Sequence, residues 1–454
     1  MVIEEIHIMK IEQIQCEKLF GFFDYSIDFH ETVTIIHGPN GCGKTTMLKI
    51  IDAVFNKKLE VLKTTDFKSV QFLFSDSTIL KIERKRAYLD ATHEGNTGIV
   101  YLAYTIMENG EDQVFDTFEN SDEYLITIKK FLRGYRPFPW LERVSDDTWF
   151  DKRKGNKLST EEVIALYGPM IYDRYGRGLL DEEVPEKVQV ILSAIDVRLI
   201  SADRLTVQRK VERQYNEDSM KIEPRVDIIA KNLSERIREA IQQYAQLSQA
   251  KDRTFPLRAI KQTSPMSVEQ IKEKMIELEA KRKELIDTGI LEEEKDDIDI
   301  HELVDAITES NRQNLALYAI DTEEKLNALS SLSSAINLFR NLVDNSFNNK
   351  KIIFSKDFGF RFKTTYTDTI ILPQNLSSGE QHELVMFYDL IFGTTNKTLI
   401  LIDEPELSLH IKWQLSYVDE LLSIIKVTGF SAVLATHSPQ IIHDKWNLTV
   451  SLSD

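Results

Sequence analysis

Three features of the sequence predict an α/β fold with an α-helical insertion. An apolar run, a glycine-rich turn and a helix-like segment follow one another within residues 33–55. Strand-like apolar runs occupy residues 1–105 and return within residues 351–454. Residues 206–349, between them, contain few Gly and many Glu, Lys, Gln and Leu, a composition that favours helices. We therefore expect a sheet-containing body that is interrupted by helices.

The periodicity of apolar residues places the individual elements. Alternating runs predict strands at 67–74, 78–84, 98–104 and 351–366. Residues 267–286 carry apolar side chains at helical spacing, and Ser267 with Gln270 predicts a capping box at the start of that helix. The apolar stripe of this helix consists of Val268, Ile271, Met275, Leu278 and Leu285.

The glycine-rich turn near the start of the chain is a phosphate-binding motif. Residues 35–46 read IIHGPNGCGKTT, which fits the P-loop of nucleoside triphosphatases. In a P-loop, backbone N–H groups and the positive end of the following helix bind phosphates, a lysine pairs with the β- and γ-phosphates, and a hydroxyl binds Mg²⁺. The sequence therefore predicts ATP and Mg²⁺ as ligands. The predicted phosphate-binding residues are Gly38, Pro39, Asn40, Gly41, Cys42, Gly43, Lys44, Thr45 and Thr46.

The composition limits the classes of protein to which the chain can belong. Its 454 residues are 42% hydrophobic and 28% charged, enough for one large or two to three smaller globular units. No apolar run approaches the ~18 residues of a membrane span, and the acidic start is not a signal peptide, so we expect a cytoplasmic protein. Cys16 and Cys42 are too few for a disulfide framework or a zinc site. The net charge of −17 argues against a broad nucleic-acid surface, although local basic patches stay open.

Polar residues end two buried strands in the second half of the chain. The continuous apolar run 398–402 predicts a parallel strand, and Asp403 and Glu404 follow it at the edge where α/β sheets bind ligands. We expect Asp403 to hold Mg²⁺, directly or through water, and Glu404 to accept a proton from the water that attacks the γ-phosphate. A second strand-like run ends at Thr436, and the following His437 is predicted to reach the same phosphate.

The segment NLSSGEQHE, residues 375–383, distinguishes among P-loop families. Its residues Ser377, Ser378, Gly379 and Glu380 resemble the signature motif of ABC-type ATPases, in which a helix N-terminus meets a nucleotide. The alternative is an ordinary helix cap. In the ABC arrangement the signature completes the site of a neighbouring subunit, so the resemblance implies that at least two chains form the site.

The order of P-loop, signature, DEPELSLH and THSP resembles the ABC-type ATPases of the SMC and recombination-repair class, above all the overcoming-lysogenization-defect type of bacterial anti-phage systems. The resemblance covers residues 1–105 and 351–454 and implies a two-lobed ATPase head. Two departures stand out: Ile411 follows His410 where the group often has proline, and Ser378 and Glu380 replace the Gly and Gln of transporter signatures. The implied domains are lobe I with the P-loop at 1–205, a helical assembly or partner module at 206–350, and lobe II with the signature, the acidic pair and the histidine at 351–454.

The resemblance also implies a function and partners. It implies an ATP-hydrolysing scaffold and sensor that holds and releases an effector nuclease, and because only residues 438–454 follow His437, we expect that nuclease to be a separate polypeptide. Such two-component systems include PARIS, with a Toprim partner, which we favour, and Septu, with an HNH partner. The expected assembly is a set of head-to-tail dimers within a larger homo-oligomer such as a hexamer, with room for a phage-encoded trigger. The alternative is a DNA-repair ATPase of the RecF kind, so DNA binding stays open.

Three further segments give weaker signals. Residues 129–140, KKFLRGYRPFPW, interleave cations with aromatics, which suits nucleic-acid binding, although a loop that packs its own aromatics is the simpler interpretation. Within the strand-like segment 197–208, Arg204 and Gln208 are candidates for the metal-sensing role of the family's glutamine loop. The acidic cluster 291–297 is interpreted as a solvated helix end, with a partner-binding face as the alternative.

Overall fold

The structure is a computed structural model that describes residues 9–87, 99–116, 131–175, 184–200, 206–211, 219–261, 266–292, 300–408 and 411–452. The strands are β1 (Ile11–Leu19), β2 (Phe23–Asp28), β3 (Val33–His37), β4 (Ser69–Phe74), β5 (Ile79–Ala87), β6 (Ile99–Glu108), β7 (Glu111–Asp116), β8 (Leu141–Ser145), β9 (Thr148–Asp151), β10 (Asn156–Ser159), β11 (Asp196–Ile200), β12 (Thr206–Val211), β13 (Ser219–Pro224), β14 (Lys350–Ser355), β15 (Gly359–Thr364), β16 (Ile370–Ile371), β17 (Thr398–Asp403), β18 (Ser431–Thr436) and β19 (Thr449–Ser451). The helices are α1 (Lys44–Phe55), α2 (Leu59–Thr64), α3 (Thr160–Tyr175), α4 (Glu186–Ser193), α5 (Arg225–Lys261), α6 (Val268–Asp287), α7 (Ile300–Asp305), α8 (Arg312–Ser346), α9 (Ser378–Phe392), α10 (Ile411–Thr428) and α11 (Pro439–Ile442).

The chain divides into two compact units. The first contains Met1–Ile200, Asn396–Glu404 and Phe430–Asp454, and the second contains Ser201–Thr395 and Pro405–Gly429. Of the two predicted domain boundaries, the one after residue 205 lies near the division at residue 200, whereas the one after residue 350 lies inside the second unit. The assignment of two lobes and an insertion stays a prediction.

The first unit is built on a parallel sheet with the strand order β11-β17-β18-β3-β19. Strands β17 and β18 are buried along almost their whole length, which explains their continuous apolar sequences. The predicted buried parallel strand is therefore confirmed. The register sets Asp403 opposite Ala435, and Thr436 opposite His37, so these strands end at one edge of the sheet.

An antiparallel sheet with the order β2-β1-β4-β5-β6-β7 completes this unit. One hydrophobic core contains residues of both sheets and of helix α1, among them Phe72, Ile51 and Val433, all almost inaccessible to solvent. The strands predicted between residues 67 and 104 appear as β4, β5 and β6. The α/β class predicted from the sequence is confirmed.

Residues 131–175 form a smaller element of the first unit, the inserted module. Strands β8, β9 and β10 make a three-stranded antiparallel sheet, and helix α3 follows it directly. The module has its own hydrophobic core, which includes Leu132, Phe138, Trp149 and Tyr167.

The second unit is mainly helical. Helix α8 packs against α5, α6 and α9, and α6 begins with the predicted Ser267–Gln270 capping box. Ile271, Met275, Leu278 and Leu285 are buried as the periodicity predicted. Among the described residues, no helix combines the length and apolarity that crossing a membrane requires.

The second unit also contains two β-hairpins, one that the sequence did not predict and one that it did. The predicted helical character from residue 206 onward is wrong at its start, because β12 and β13 pair as an antiparallel hairpin before α5 begins. The predicted strands near residue 351 appear as β14 and β15. Gly359 has φ of +72° and a Cβ there would lie 1.8 Å from the Ala230 carbonyl oxygen, so only glycine allows this hairpin to approach α5.

Candidate nucleotide-binding site

The P-loop has the predicted strand–turn–helix geometry. Strand β3 ends at His37, the turn occupies residues 38–43, and α1 begins at Lys44. Gly43 precedes the helix with φ of +93°, and a Cβ there would lie 2.7 Å from the Leu19 Cδ2 atom. Any other side chain at this position would therefore meet both backbone strain and a clash. The turn leaves the N-terminal N–H groups of α1 available for an anion.

Lys44 is already held inside the turn. Its Nζ donates hydrogen bonds to the carbonyl oxygens of Gly38, at 2.9 Å, and Pro39, at 3.0 Å. The residue is only 6% exposed, so its positive charge is stabilised by these carbonyl dipoles. In P-loops, the lysine at this position pairs with the β- and γ-phosphates.

Thr45 and Asp403 meet across the first unit. The Thr45 hydroxyl donates a hydrogen bond of 2.9 Å to Asp403 Oδ1, although the two residues are 358 positions apart. A hydroxyl and a carboxylate are hard oxygen ligands that suit Mg²⁺, an ion that usually takes one or two carboxylates together with phosphates and waters. Within the described ranges, no group of three or more His, Cys, Asp or Glu residues could hold a metal ion. This pair therefore fits Mg²⁺ bound together with nucleotide rather than an all-protein metal site.

Glu404 has an uncommon backbone conformation, and a hydrogen bond to the neighbouring strand holds it in place. Its φ is +44°, a conformation uncommon for a residue other than glycine, and its N–H donates a 2.9 Å hydrogen bond to the Ala435 carbonyl. Such strain is often found at functional sites. His437 is exposed and directly follows β18, beside the strand that leads into the P-loop. The sheet thus brings the predicted Asp403, Glu404 and His437 to the edge that carries the P-loop.

An aromatic side chain that the sequence did not predict supports the P-loop. The Tyr25 hydroxyl on β2 donates a hydrogen bond of 2.7 Å to the Cys42 carbonyl oxygen. The Cys42 side chain is 5% exposed and belongs to the hydrophobic core, so only its backbone belongs to the phosphate-binding turn. Phe20 and Phe22, in the turn that precedes β2, are 38% and 65% exposed. The sequence GFFDY shortly before the P-loop was the available signal.

The predicted signature forms the N-terminus of α9 in the second unit. Ser377 is the N-cap, and a capping box links it to Glu380: the Ser377 N–H and hydroxyl donate to Glu380 Oε2 at 3.0 and 2.9 Å. Ser377, Ser378 and Gly379 are exposed, whereas Glu380 also pairs with Lys350. Burial alone would raise the pKa of Glu380, but the bonds from Lys350 and Ser377 hold that pKa below its usual value. Glu380 therefore stabilises the helix start, and the three residues before it present the exposed surface.

A buried carboxyl group lies one turn further along α9, and a partly buried one on α10 acts on it. Glu383 is 7% exposed, and burial, followed by the charges of Glu420 and Glu380, raises its pKa to about 7. Burial also raises the pKa of Glu420, whose carboxylate accepts hydrogen bonds from Trp413 and Ser416. The sequence pattern gave no sign of this pair, because its members come from α9 and α10.

Several predicted residues have no described side chain. Arg204 and His410 lie outside the described residues, and so do Lys129, Lys130 and most of the acidic cluster. Gln208 lies on β12, but its side chain is not described. Their predicted roles stay predictions.

Comparison with known proteins identifies the family. A sequence profile of the AAA ATPase domain matches residues 9–160 and 182–442. The chain is 28% identical over 107 residues to Endonuclease GajA of Bacillus cereus strain HuB5-5, a match that covers 24% of this chain and 14% of that protein. The similarity therefore reaches only a small part of that longer relative.

Two solved structures of SMC heads also align with the chain. The SMC head domain with an extended coiled coil, bound to the C-terminal domain of ScpA from Pyrococcus furiosus, aligns with a TM-score of 0.32 and 11% identity, covering 96% of this chain and 91% of that one. An SMC head bound to the C-terminal winged-helix domain of ScpA aligns with a TM-score of 0.34 and 9% identity, covering 95% and 91%. The profile match alone spans most of the chain, and the chain therefore belongs to the AAA ATPase domain family.

Proposed function

We propose that this protein is an ABC-type ATPase that acts as a scaffold and sensor in a bacterial anti-phage complex and holds a separate effector nuclease until a trigger releases it. The observation that carries the ATPase part is the hydrogen bond between Thr45 and Asp403 beside a P-loop lysine held in its turn. This arrangement joins phosphate binding and a magnesium ligand in one place.

The proposed chemistry assigns one task to each group. Lys44 exchanges its two carbonyl partners for phosphate oxygens of ATP, and Thr45 and Asp403 hold Mg²⁺. The ion would supply positive charge that neutralises the phosphates when it is bound. Glu404 accepts a proton from the attacking water, and His437 contacts the γ-phosphate from the end of β18. The exposed rings of Phe20 and Phe22 supply an apolar surface for the base beside Gly43.

The proposed site is shared between two chains. Ser377, Ser378 and Gly379 are exposed at the start of α9, where helix N–H groups favour an anion. In the ABC arrangement these residues close over the nucleotide of a neighbouring subunit. We infer head-to-tail dimers, within a larger assembly such as a hexamer, in the cytoplasm.

The proposed partner is a nuclease. The similarity to a protein named an endonuclease and the resemblance to the overcoming-lysogenization-defect type both support this partner. A PARIS-type complex with a Toprim nuclease is the favoured form, and a Septu-type complex with an HNH nuclease is the second.

The test is co-expression of the tagged chain with the nuclease encoded beside it. We expect a stable complex, slow ATP hydrolysis that Lys44→Ala abolishes, and release of the nuclease in phage-infected cells. The Lys44→Ala chain is the control for release. Failure to bind the nuclease, together with hydrolysis strongly stimulated by DNA, would contradict the proposal and favour a repair ATPase of the RecF kind.

A further inference from the structure

The inserted module carries a cationic and aromatic surface that the proposed ATPase function does not use. The positive charge lies in the part of the module that precedes helix α3: residues 131–159 contain seven Lys and Arg against four Asp and Glu, whereas the whole module contains eight against seven and the whole chain has a net charge of −17. Such a local excess of positive charge attracts anionic ligands. We propose that this surface binds a single-stranded nucleic acid.

A buried carboxylate fixes the turn that presents the cations. Asp151 is fully buried, and its Oδ1 accepts hydrogen bonds from the N–H groups of Arg153, at 2.8 Å, and Lys154, at 3.3 Å, while the Tyr167 hydroxyl donates to Oδ2. The N–H of Gly155 closes the turn on the Asp151 carbonyl at 2.7 Å. The cations between β9 and β10 are therefore held on a rigid turn rather than on a mobile loop.

Arg153 offers a flat cationic surface. Its guanidinium carbon lies 3.9 Å from the ring centroid of Trp140, and this ring also stacks with Phe138, with centroids 4.7 Å apart. The Arg153 side chain is still 47% exposed. The guanidinium group thus lies over Trp140, its Nε lies 3.9 Å from Asp151 Oδ1, and the exposed part of the side chain can contact a base or a phosphate.

Tyr135 offers an open aromatic face. Its ring stacks on Phe131 at 5.2 Å with an interplanar angle of 13°, yet the residue is 69% exposed. The other side of the ring is therefore accessible to an unpaired base. Base stacking of this kind is typical of proteins that bind single strands, because the bases of a duplex already stack on one another.

Three further cations lie on the same segment as these two planar groups. Among the described residues, Arg133, Arg136 and Lys154 form no ion pair with a carboxylate. The Arg136 guanidinium instead donates to the carbonyls of Pro139 and Leu141, at 2.8 and 3.2 Å, and stays exposed. These hydrogen bonds hold the Arg136 guanidinium group beside Trp140. Stacking side chains and cations that could bind phosphate therefore lie on one short segment of the chain.

An acidic protein would also be attracted to these cations. Its carboxylates, however, would not stack on the exposed planar groups of Tyr135 and Arg153. The combination of stacking faces with exposed cations therefore favours single-stranded nucleic acid. The group that this surface would recognise is an unpaired base next to a phosphate. Single-stranded DNA and single-stranded RNA both supply it.

The test is fluorescence anisotropy of labelled oligo(dT) and oligo(U) with the full-length chain in the absence of nucleotide. We expect Tyr135→Ala to weaken binding about tenfold, the usual effect of losing one stacked base. The control Tyr366→Ala removes a tyrosine that is 81% exposed elsewhere on the chain and should change nothing. Weakening confined to oligo(dT) or to oligo(U) identifies DNA or RNA as the ligand, and weakening of both identifies any single strand.

The salt dependence of binding tests the cations separately. Because each phosphate contact to a single strand contributes about −0.7 to the slope of log K against log salt, Lys154→Gln should reduce the slope by about 0.7. Lys231→Gln, at a lysine whose side chain is 80% exposed in the second unit, should not. Absence of binding by the wild-type chain, equal binding by Tyr135→Ala, or competition by polyglutamate as strong as that by the oligonucleotide would overturn the proposal.

Discussion

The buried Glu383 makes the stability of the second unit depend on pH. Its pKa is raised from 4.5 to about 7, with burial as the largest cause and the charge of Glu420 as the second. Between these two values the unfolded chain releases the proton that the folded chain retains. The free energy of unfolding should therefore fall as pH rises from about 4.5 to about 7 and then level off.

The size of the effect follows from the shift. One pKa unit corresponds to about 1.4 kcal/mol, so the charged form of Glu383 costs about 3 kcal/mol above pH 7. Glu383→Gln keeps the shape of the side chain and removes the charge. We expect this variant to be about 3 kcal/mol more stable than the wild type at pH 8, and this advantage should vanish near pH 4.5.

The assay is urea unfolding followed by far-ultraviolet circular dichroism at a series of pH values. The difference in the free energy of unfolding between variant and wild type is compared across these pH values. The part that changes with pH reports the ionisation of Glu383, and the constant part reports every other effect of the substitution. Glu420→Gln serves as a second variant: removing the second-largest cause should lower the pKa of Glu383, so the fall in stability should be smaller and should end at a lower pH than in the wild type. A stability difference that is constant from pH 4.5 to 8 would refute the reasoning.

Three further predictions concern the nucleotide site. Lys44→Ala should abolish ATP binding, whereas Glu404→Gln should bind ATP and hydrolyse it about 10²–10⁴-fold more slowly; equal loss of binding in both variants, measured by calorimetry, would contradict the division of roles. Cys42 is 5% exposed, so iodoacetamide should modify it far more slowly in the folded chain than in urea, and bound ATP should slow it further; rapid modification seen by mass spectrometry would place the thiol outside the core. Ser377→Ala should lower the free energy of unfolding by about 1 kcal/mol through loss of the helix cap, whereas Ser378→Ala should not; equal effects in urea unfolding would argue against the capping box.

The parts of the site that the sequence predicts are those formed by residues close together along the chain. The P-loop, the strand before Asp403 and the cap at Ser377 each depend on local spacing and local hydrogen bonds. The parallel sheet then explains why Asp403 meets Thr45, since both follow the ends of strands in one sheet.

The parts that sequence did not predict depend on pairs that are distant along the chain. Tyr25 reaches Cys42, and Lys350 reaches Glu380, only because hairpins fold back on the turn and the helix. The β12–β13 hairpin was missed because its charged residues resemble a solvated helix, and only tertiary context decides between the two. The inward direction of the Cys42 side chain likewise cannot be derived from an irregular turn.

The central claim is that the signature of one chain completes the nucleotide site of another. The most direct measurement is ATP hydrolysis by a 1:1 mixture of Lys44→Ala and Ser377→Arg chains, with subunit exchange confirmed by two different tags. Each variant alone should be inactive, and the mixture should recover a substantial fraction of activity, because one intact site forms at an interface whose other site has both defects. Full activity of the Ser377→Arg chain by itself would contradict a site that is shared in this way, whereas no recovery despite proven exchange would indicate that turnover requires both sites of the interface to be intact.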